Sequence, residues 1–177
     1  MTNKLAQMLV IPSLFIAYSS VAQSELSTAN QVSISADKQQ AQLKSNVGIF
    51  ESNVEIIHGA RRITADRLEV HKRDKLGENK QLLIATGSPA YFEEKQDDGS
   101  IMSASANEVR YDVAERYLTL IGDAQVTQAG QKINAKSISY DMEQQLISAQ
   151  KDEDSDDRVH TILVPIENKK AKSKGQP

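Results

Sequence analysis

Apolar and polar residues alternate along most of the chain in short runs, but some of the runs change phase partway. In ITADRLEV, residues 63–70, Ile63 and Ala65 share one parity, while Leu68 and Val70 take the other. INAKSISY repeats the slip 70 residues later, with Ile133 and Ala135 followed by Ile138 and Tyr140. In a flat sheet such a slip would turn half of the apolar set toward solvent. A strand that rounds a corner through a bulge keeps both halves facing one interior, because the extra residue absorbs the change of parity. The pattern therefore predicts bent strands, with Asp66, Arg67, Lys136 and Ser137 outside the bend. Small Ala65, Ala106 and Ala135 fit where two backbones crowd together.

Other alternating runs are bounded by Gly, Asn, Asp or Pro every eight to twelve residues or so, and no sustained helical period interrupts them. This is an all-β pattern, and it repeats. Ser35-Ala36-Asp37 matches Thr64-Ala65-Asp66 at an offset of 29, and Ala106 through Asp112 matches Ala135 through Asp141 at the same offset. The middle step is 41 residues, which places insertions at the polar, glycine-containing stretches 71–80 and 93–100. NVEII at 53–57 corresponds to DAQVT at 123–127. Units of this size cannot bury a face alone, so they must stack around a shared interior. The expected object is a folded-over sheet, open at its ends and lined by aliphatic side chains; a sandwich with a sealed core is the alternative. Parity places Val32, Ile34, Phe50, Phe92, Tyr111, Val113, Leu118 and Leu120 on the inside.

The first 22 residues change the picture of where the chain works. Lys4, an apolar run from Leu5 to Ala17, and small Ser20 and Ala22 form the layout of a secretory signal peptide cut after Ala22. Pro12 and the serines argue against a retained membrane anchor. An exported chain with no cysteine has no disulfide framework and no thiolate metal site, so packing and hydrogen bonds must stabilise it. Residues 23–30 read as a linker, and the basic stretch 167–177 as a disordered tail. The acidic run 151–157 lacks the glycine and final glutamate of a calcium loop and reads as a solvated loop.

The sequence offers little for catalysis. His58, His71 and His160 are scattered without zinc-type spacing, and there is no nucleophile elbow or phosphate loop. The expectation is a protein that is not an enzyme and needs no cofactor or metal. With no Trp and aromatics at 5%, a carbohydrate-binding jelly roll is the poorest match. Alkyl chains ask only for contiguous aliphatic wall, at about 0.8 kcal/mol per buried methylene.

Several motifs together resemble the OstA-like domain family: Ala-Asp-x-Leu after a strand, Gly87-Ser88-Pro89-Ala90-Tyr91-Phe92, Ala106 through Tyr111-Asp112, and Leu120-Ile121-Gly122-Asp123-Ala124. The resemblance spans about residues 31–166. It implies a twisted, open β-jelly roll of about sixteen short antiparallel strands, and a periplasmic protein of Gram-negative bacteria. Such a protein binds and relays lipopolysaccharide, shielding the lipid A acyl chains in a groove. On this likeness Val32, Ile34, Phe92, Tyr111 and Val113 are the lipid-binding candidates, with Phe50, Leu118 and Leu120 as further groove residues. One departure is Ser52, where the family's turn before Asn-Val usually has glycine, so a positive φ at that position is left open.

The two ends of the domain complete the expectation. RVHTILVP at 158–165 is apolar on both parities, and an edge strand of that kind invites pairing. Val32, Ser33, Ile34 and Ser35 at one edge, and Val159, Thr161, Ile162, Leu163 and Val164 at the other, would join copies head to tail without closing a ring. The resemblance assigns the N-terminal edge to an inner-membrane LptC-like component and the C-terminal edge to an outer-membrane LptD-like component. No nucleic-acid partner is expected. A scaffold with a sealed interior, bridging envelope proteins through strand pairing, is the alternative from another class.

Overall fold

A computed structural model describes residues 31–73, 80–151, 156 and 158–163. The expected signal peptide 1–22, linker 23–30 and tail 167–177 lie outside them, as do Val164 and most of the acidic run. Ten strands occur among the described residues, and no helix. They are β1 (Val32–Ser35), β2 (Lys38–Gln42), β3 (Val47–His58), β4 (Arg61–Lys72), β5 (Gln81–Lys95), β6 (Ile101–Asp112), β7 (Tyr117–Gln128), β8 (Gln131–Asp141), β9 (Leu146–Gln150) and β10 (His160–Leu163). All pairings are antiparallel in the order β1-β3-β4-β5-β6-β7-β8-β10, with β2 also on β3 and β9 also on β8.

The expectation of about sixteen short strands is corrected to ten, for a reason already visible in ITADRLEV. Each of the six strands β3 to β8 is continuous, but its ladder is interrupted near its middle, with the extra residues on β3, β5 and β7. On β3 Ser52 and Asn53 stand against Asp66 of β4, on β5 Gly87-Ser88-Pro89 against Asn107 of β6, and on β7 Gly122-Asp123 against Lys136 of β8. These interruptions fall on one line across the sheet, and the chain folds along that line. If each interrupted strand is counted as two, the sheet has sixteen half-strands, eight in each of two facing layers. Side chains on both sides of the crease join in one buried cluster, as Ile63 and Phe92 do with Leu68 and Leu120.

Local chemistry explains the crease. Ser52 and Asn53 both take positive φ, as do Gly122 and Asp123 at the repeat position. Ser52 therefore adopts the conformation the family motif reserves for glycine, at a cost that the surrounding sheet must offset. Asn53 Nδ2 donates to Asp37 Oδ2 at 2.6 Å, and Asn107 Nδ2 to Asp123 Oδ2 at 3.2 Å, tying neighbouring strands at the bend. Gly87 has no room for a side chain: a Cβ would come within 2.9 Å of backbone atoms of Pro89 and Ala90. Pro89, which cannot donate to a ladder, lies within the interruption, where no ladder bond is needed.

Inward-facing residues form rows that run across the strands. Beside the crease the row is Val54, Ala65, Ala90, Ala106, Ala124 and Ala135, small where the layers converge. Next comes the main row of one layer, Ile56, Ile63, Phe92, Ala104, Val126 and Ile133. The other layer faces it with Phe50, Leu68, Ala85, Val109, Leu120 and Ile138. Phe92, Leu68, Leu118 and Leu120 are fully buried. The centre of the domain is a closed core.

Candidate functional site

The layers part at the N-terminal edge. There a cavity of about 330 Å³ is lined by Val32 and Ile34 from β1, and by Val70, Leu83 and Val113 from the facing layer. Gln31, Lys72 and Gln81 also line it. The two sides belong to strands far apart in sequence, and only the fold along the crease brings them together. Its apolar wall is aliphatic, without an aromatic platform or nucleophile, and therefore suits an alkyl chain.

The sequence candidates divide between this cavity and the core. Val32, Ile34 and Val113 meet in the cavity wall. Phe92, Tyr111, Leu118 and Leu120 lie in the closed core, and Phe50 packs against it while partly buried. Of the edge candidates, Val32–Ser35 form β1 at one end of the sheet, while Thr161, Ile162 and Leu163 lie on β10 at the other. Val159 sits just before β10; it, Ile162 and Leu163 are exposed. His71 Nε2 is 3.0 Å from Glu69 Oε2, and His160 is exposed, so two of the three histidines lie outside the core.

The third does not. Across the strands from Val32 stands His58, then Arg61, Glu94 and Met102, in the inward row farthest from the crease. Leu83, on the opposite wall of the cavity, is the cross-strand neighbour of Tyr111. His58 Nδ1 and the Tyr111 hydroxyl are 2.8 Å apart, so a buried hydrogen bond joins the two layers one strand inward from the cavity. Arg61 Nε lies 2.9 Å from Glu94 Oε1, with both side chains about nine-tenths buried. Glu94 accepts a hydrogen bond from Gln96 Nε2 at 3.2 Å and faces the Tyr140 hydroxyl of the other layer.

This polar cluster was not recognised in the sequence, although a signal was present. His58 follows Ile56 by two, Glu94 follows Phe92 by two, and Arg61 precedes Ile63 by two. Each continues an inward parity past its last apolar member.

Burial, then the positive charges of Arg61 and Arg116, hold the His58 pKa below its ordinary value of 6.5. Burial raises Tyr111 above 10.0 against the opposing pull of the same arginines, and burial followed by Glu94 raises Tyr140. The unfolded chain protonates His58 first as pH falls, so this contribution to stability is full above 6.5 and is lost as pH drops toward the folded-state value. For the tyrosines it is full below 10.0 and is lost as pH rises beyond it. Urea midpoints are expected to hold level between those limits, and His58→Gln is expected to flatten the first part of the acid limb. An unchanged acid limb in that variant would remove His58 from the account.

Comparison with known proteins sets this geometry in a family. The family described as LptA/(LptD N-terminal domain) LPS transport protein matches residues 33–146. The lipopolysaccharide export system protein LptA of Haemophilus influenzae is 32% identical over 143 residues, covering 81% of this chain and 82% of that protein. LptA of Escherichia coli K12 is 31% identical over 176 residues, covering 99% and 94%. The crystal structure of LptH, the LptA-homologous periplasmic component of the conserved lipopolysaccharide transport device from Pseudomonas aeruginosa, superposes with a TM-score of 0.68 at 25% identity. The match covers 78% of this chain and 99% of that one.

Proposed function

Because the chain belongs to the LptA/(LptD N-terminal domain) family of LPS transport proteins, we propose that it carries lipopolysaccharide across the periplasm, shielding the lipid A acyl chains between its two layers. The observation that carries this reading is the aliphatic cavity at the N-terminal edge, where Val32, Ile34 and Val113 converge with Val70 and Leu83. No covalent reaction is required. Passage between similar apolar environments is an exchange, biased by modest differences in affinity, and its energy comes from another component. Names of relatives support a periplasmic setting, and the signal peptide with cleavage after Ala22 fits it.

The edges supply the bridging part of the proposal. Among the described residues, β1 at one end and β10 at the other each have one flank without a strand partner, and Ile162 and Leu163 are exposed on β10. Pairing β10 of one copy with β1 of the next extends the sheet and its cleft without closing a ring. The N-terminal edge would meet an inner-membrane LptC-like component, and the C-terminal edge an outer-membrane LptD-like component.

Photo-crosslinkers at Ile34 and Val113 test the carrier function, in cells with transport running. Lipopolysaccharide adducts are expected at both, and none at Glu93, which is exposed on the opposite parity from Phe92. One observation favours a second reading, a sealed scaffold: the central interior is filled by Phe92, Leu118 and Leu120. Adducts absent from both cavity positions would favour that scaffold over the carrier.

A further inference from the structure

Arg61 is out of place in a row that a purely apolar cleft would fill with aliphatic side chains. A buried ion pair costs several kcal/mol per ion in desolvation, and an apolar pair of similar volume often serves stability as well or better. Packing alone therefore gives no reason for Arg61 and Glu94. The pair is also incompletely satisfied: Nε of Arg61 is buried and has no hydrogen-bond acceptor among the described residues, although Glu94 Oε1 is only 2.9 Å away. The guanidinium also reaches the Tyr111 hydroxyl, whose partner on the other side is His58. Exposed Arg116, in the turn between β6 and β7, adds a weaker positive field at His58 and Tyr111 from outside the cluster.

The position of the cluster matters as much as its charge. It occupies the inward row farthest from the crease, and one strand toward the edge that row continues as Val32, a wall of the cavity. An amphiphile whose alkyl chains lie against the aliphatic rows has its polar head where those rows end. The geometry points to Arg61 as an anion-binding residue at the mouth of the cleft, masked by Glu94 in the closed state and taken over by a phosphate on the acylated sugar when lipid enters. The assignment rests on the lipid-carrying function proposed above.

Exchange explains both halves of the arrangement. Glu94 compensates the arginine while the cleft is empty, so the closed protein does not bury a lone charge. A phosphate ester offers more acceptor oxygens than Glu94 and suits the planar guanidinium fork, including its unsatisfied Nε–H. The Arg61–Glu94 pair lies within one layer, whereas the contacts of His58 and Arg61 with the Tyr111 hydroxyl, and of Glu94 with the Tyr140 hydroxyl, cross to the other. Taking Arg61 over and breaking these crossing contacts frees the layers to part beyond the N-terminal cavity.

The full chain should be titrated with lipid A carrying both phosphates, with the same lipid after enzymatic dephosphorylation, and with inorganic phosphate. Arg61→Gln is expected to weaken binding of the phosphorylated lipid about tenfold, the worth of one charge-assisted contact, and to leave the dephosphorylated lipid nearly unchanged. Glu94→Gln is expected to strengthen binding of the phosphorylated lipid alone, a gain that misfolding cannot mimic. Inorganic phosphate should bind far more weakly than the lipid, since it brings no alkyl chains; equal binding would reassign the site to the free ion. Equal affinity for both lipids in wild type and both variants would overturn the anion site while leaving the carrier intact. Failure of every form to bind either lipid would instead overturn the carrier.

Discussion

Phe92→Ala is expected to cost about 3–5 kcal/mol of folding stability, the range for emptying a buried aromatic site. Domains have only about 5–15 kcal/mol in hand, so the urea midpoint should fall steeply. Phe92 is fully buried in the main row of its layer, with Ile63 and Ala104 as cross-strand neighbours. Those neighbours are held by long ladders and cannot collapse into the space. The resemblance made Phe92 a lipid-binding candidate, but in the closed protein its ring serves as core. A midpoint close to that of wild type would show that the interior is looser than the buried rows imply.

Ile34→Asp is expected to act on the other property. Ile34 is half-buried on an edge strand and lines the cavity, so a charge there can reach water while it spoils the apolar wall. Losing the burial of one aliphatic side chain against an alkyl ligand is worth about 1.5–3 kcal/mol. Affinity for lipopolysaccharide should therefore fall by about tenfold or more. The urea midpoint should move much less than in Phe92→Ala. Undiminished lipid binding by Ile34→Asp, measured on the full chain, would exclude the N-terminal cavity as the acyl site.

The contrast between these two residues shows where sequence reasoning works. Parity placed Ile34 and Phe92 on the same inward face, and both are there. Parity contains no information about distance from a sheet edge, and that distance decides which of them meets a cavity and which meets a closed core. The crease was legible because the strand facing a bulge changes phase there, as β4 does between Ala65 and Leu68 opposite Ser52 and Asn53, and the slip recurs at 70 residues. The strand count was not legible: about sixteen is what the resemblance implied, and because an interrupted ladder does not end the strand, the described residues form ten elements. His58, Arg61 and Glu94 escaped because a polar residue on an apolar parity looks like the end of a strand. Only the facing layer, with Tyr111 and Tyr140, reveals it as a buried partner.

The alanine row beside the crease has a mechanical meaning. Large interlocked side chains resist a change of angle, because every rotation repacks them. Ala65, Ala90, Ala106, Ala124 and Ala135 present little to interlock, so the line they follow would be the soft spine of any book-like motion of the two layers. At about 3.3 Å per residue, Arg61 stands roughly 13 Å from Ala65 along β4, so a rotation of about 10° would shift it by only about 2 Å. That shift is of the size needed to break a hydrogen bond such as the one between His58 and Tyr111. The leverage of the fold thus converts a small angle at the spine into the loss of polar contacts at the rim, with the alanines hardly displaced.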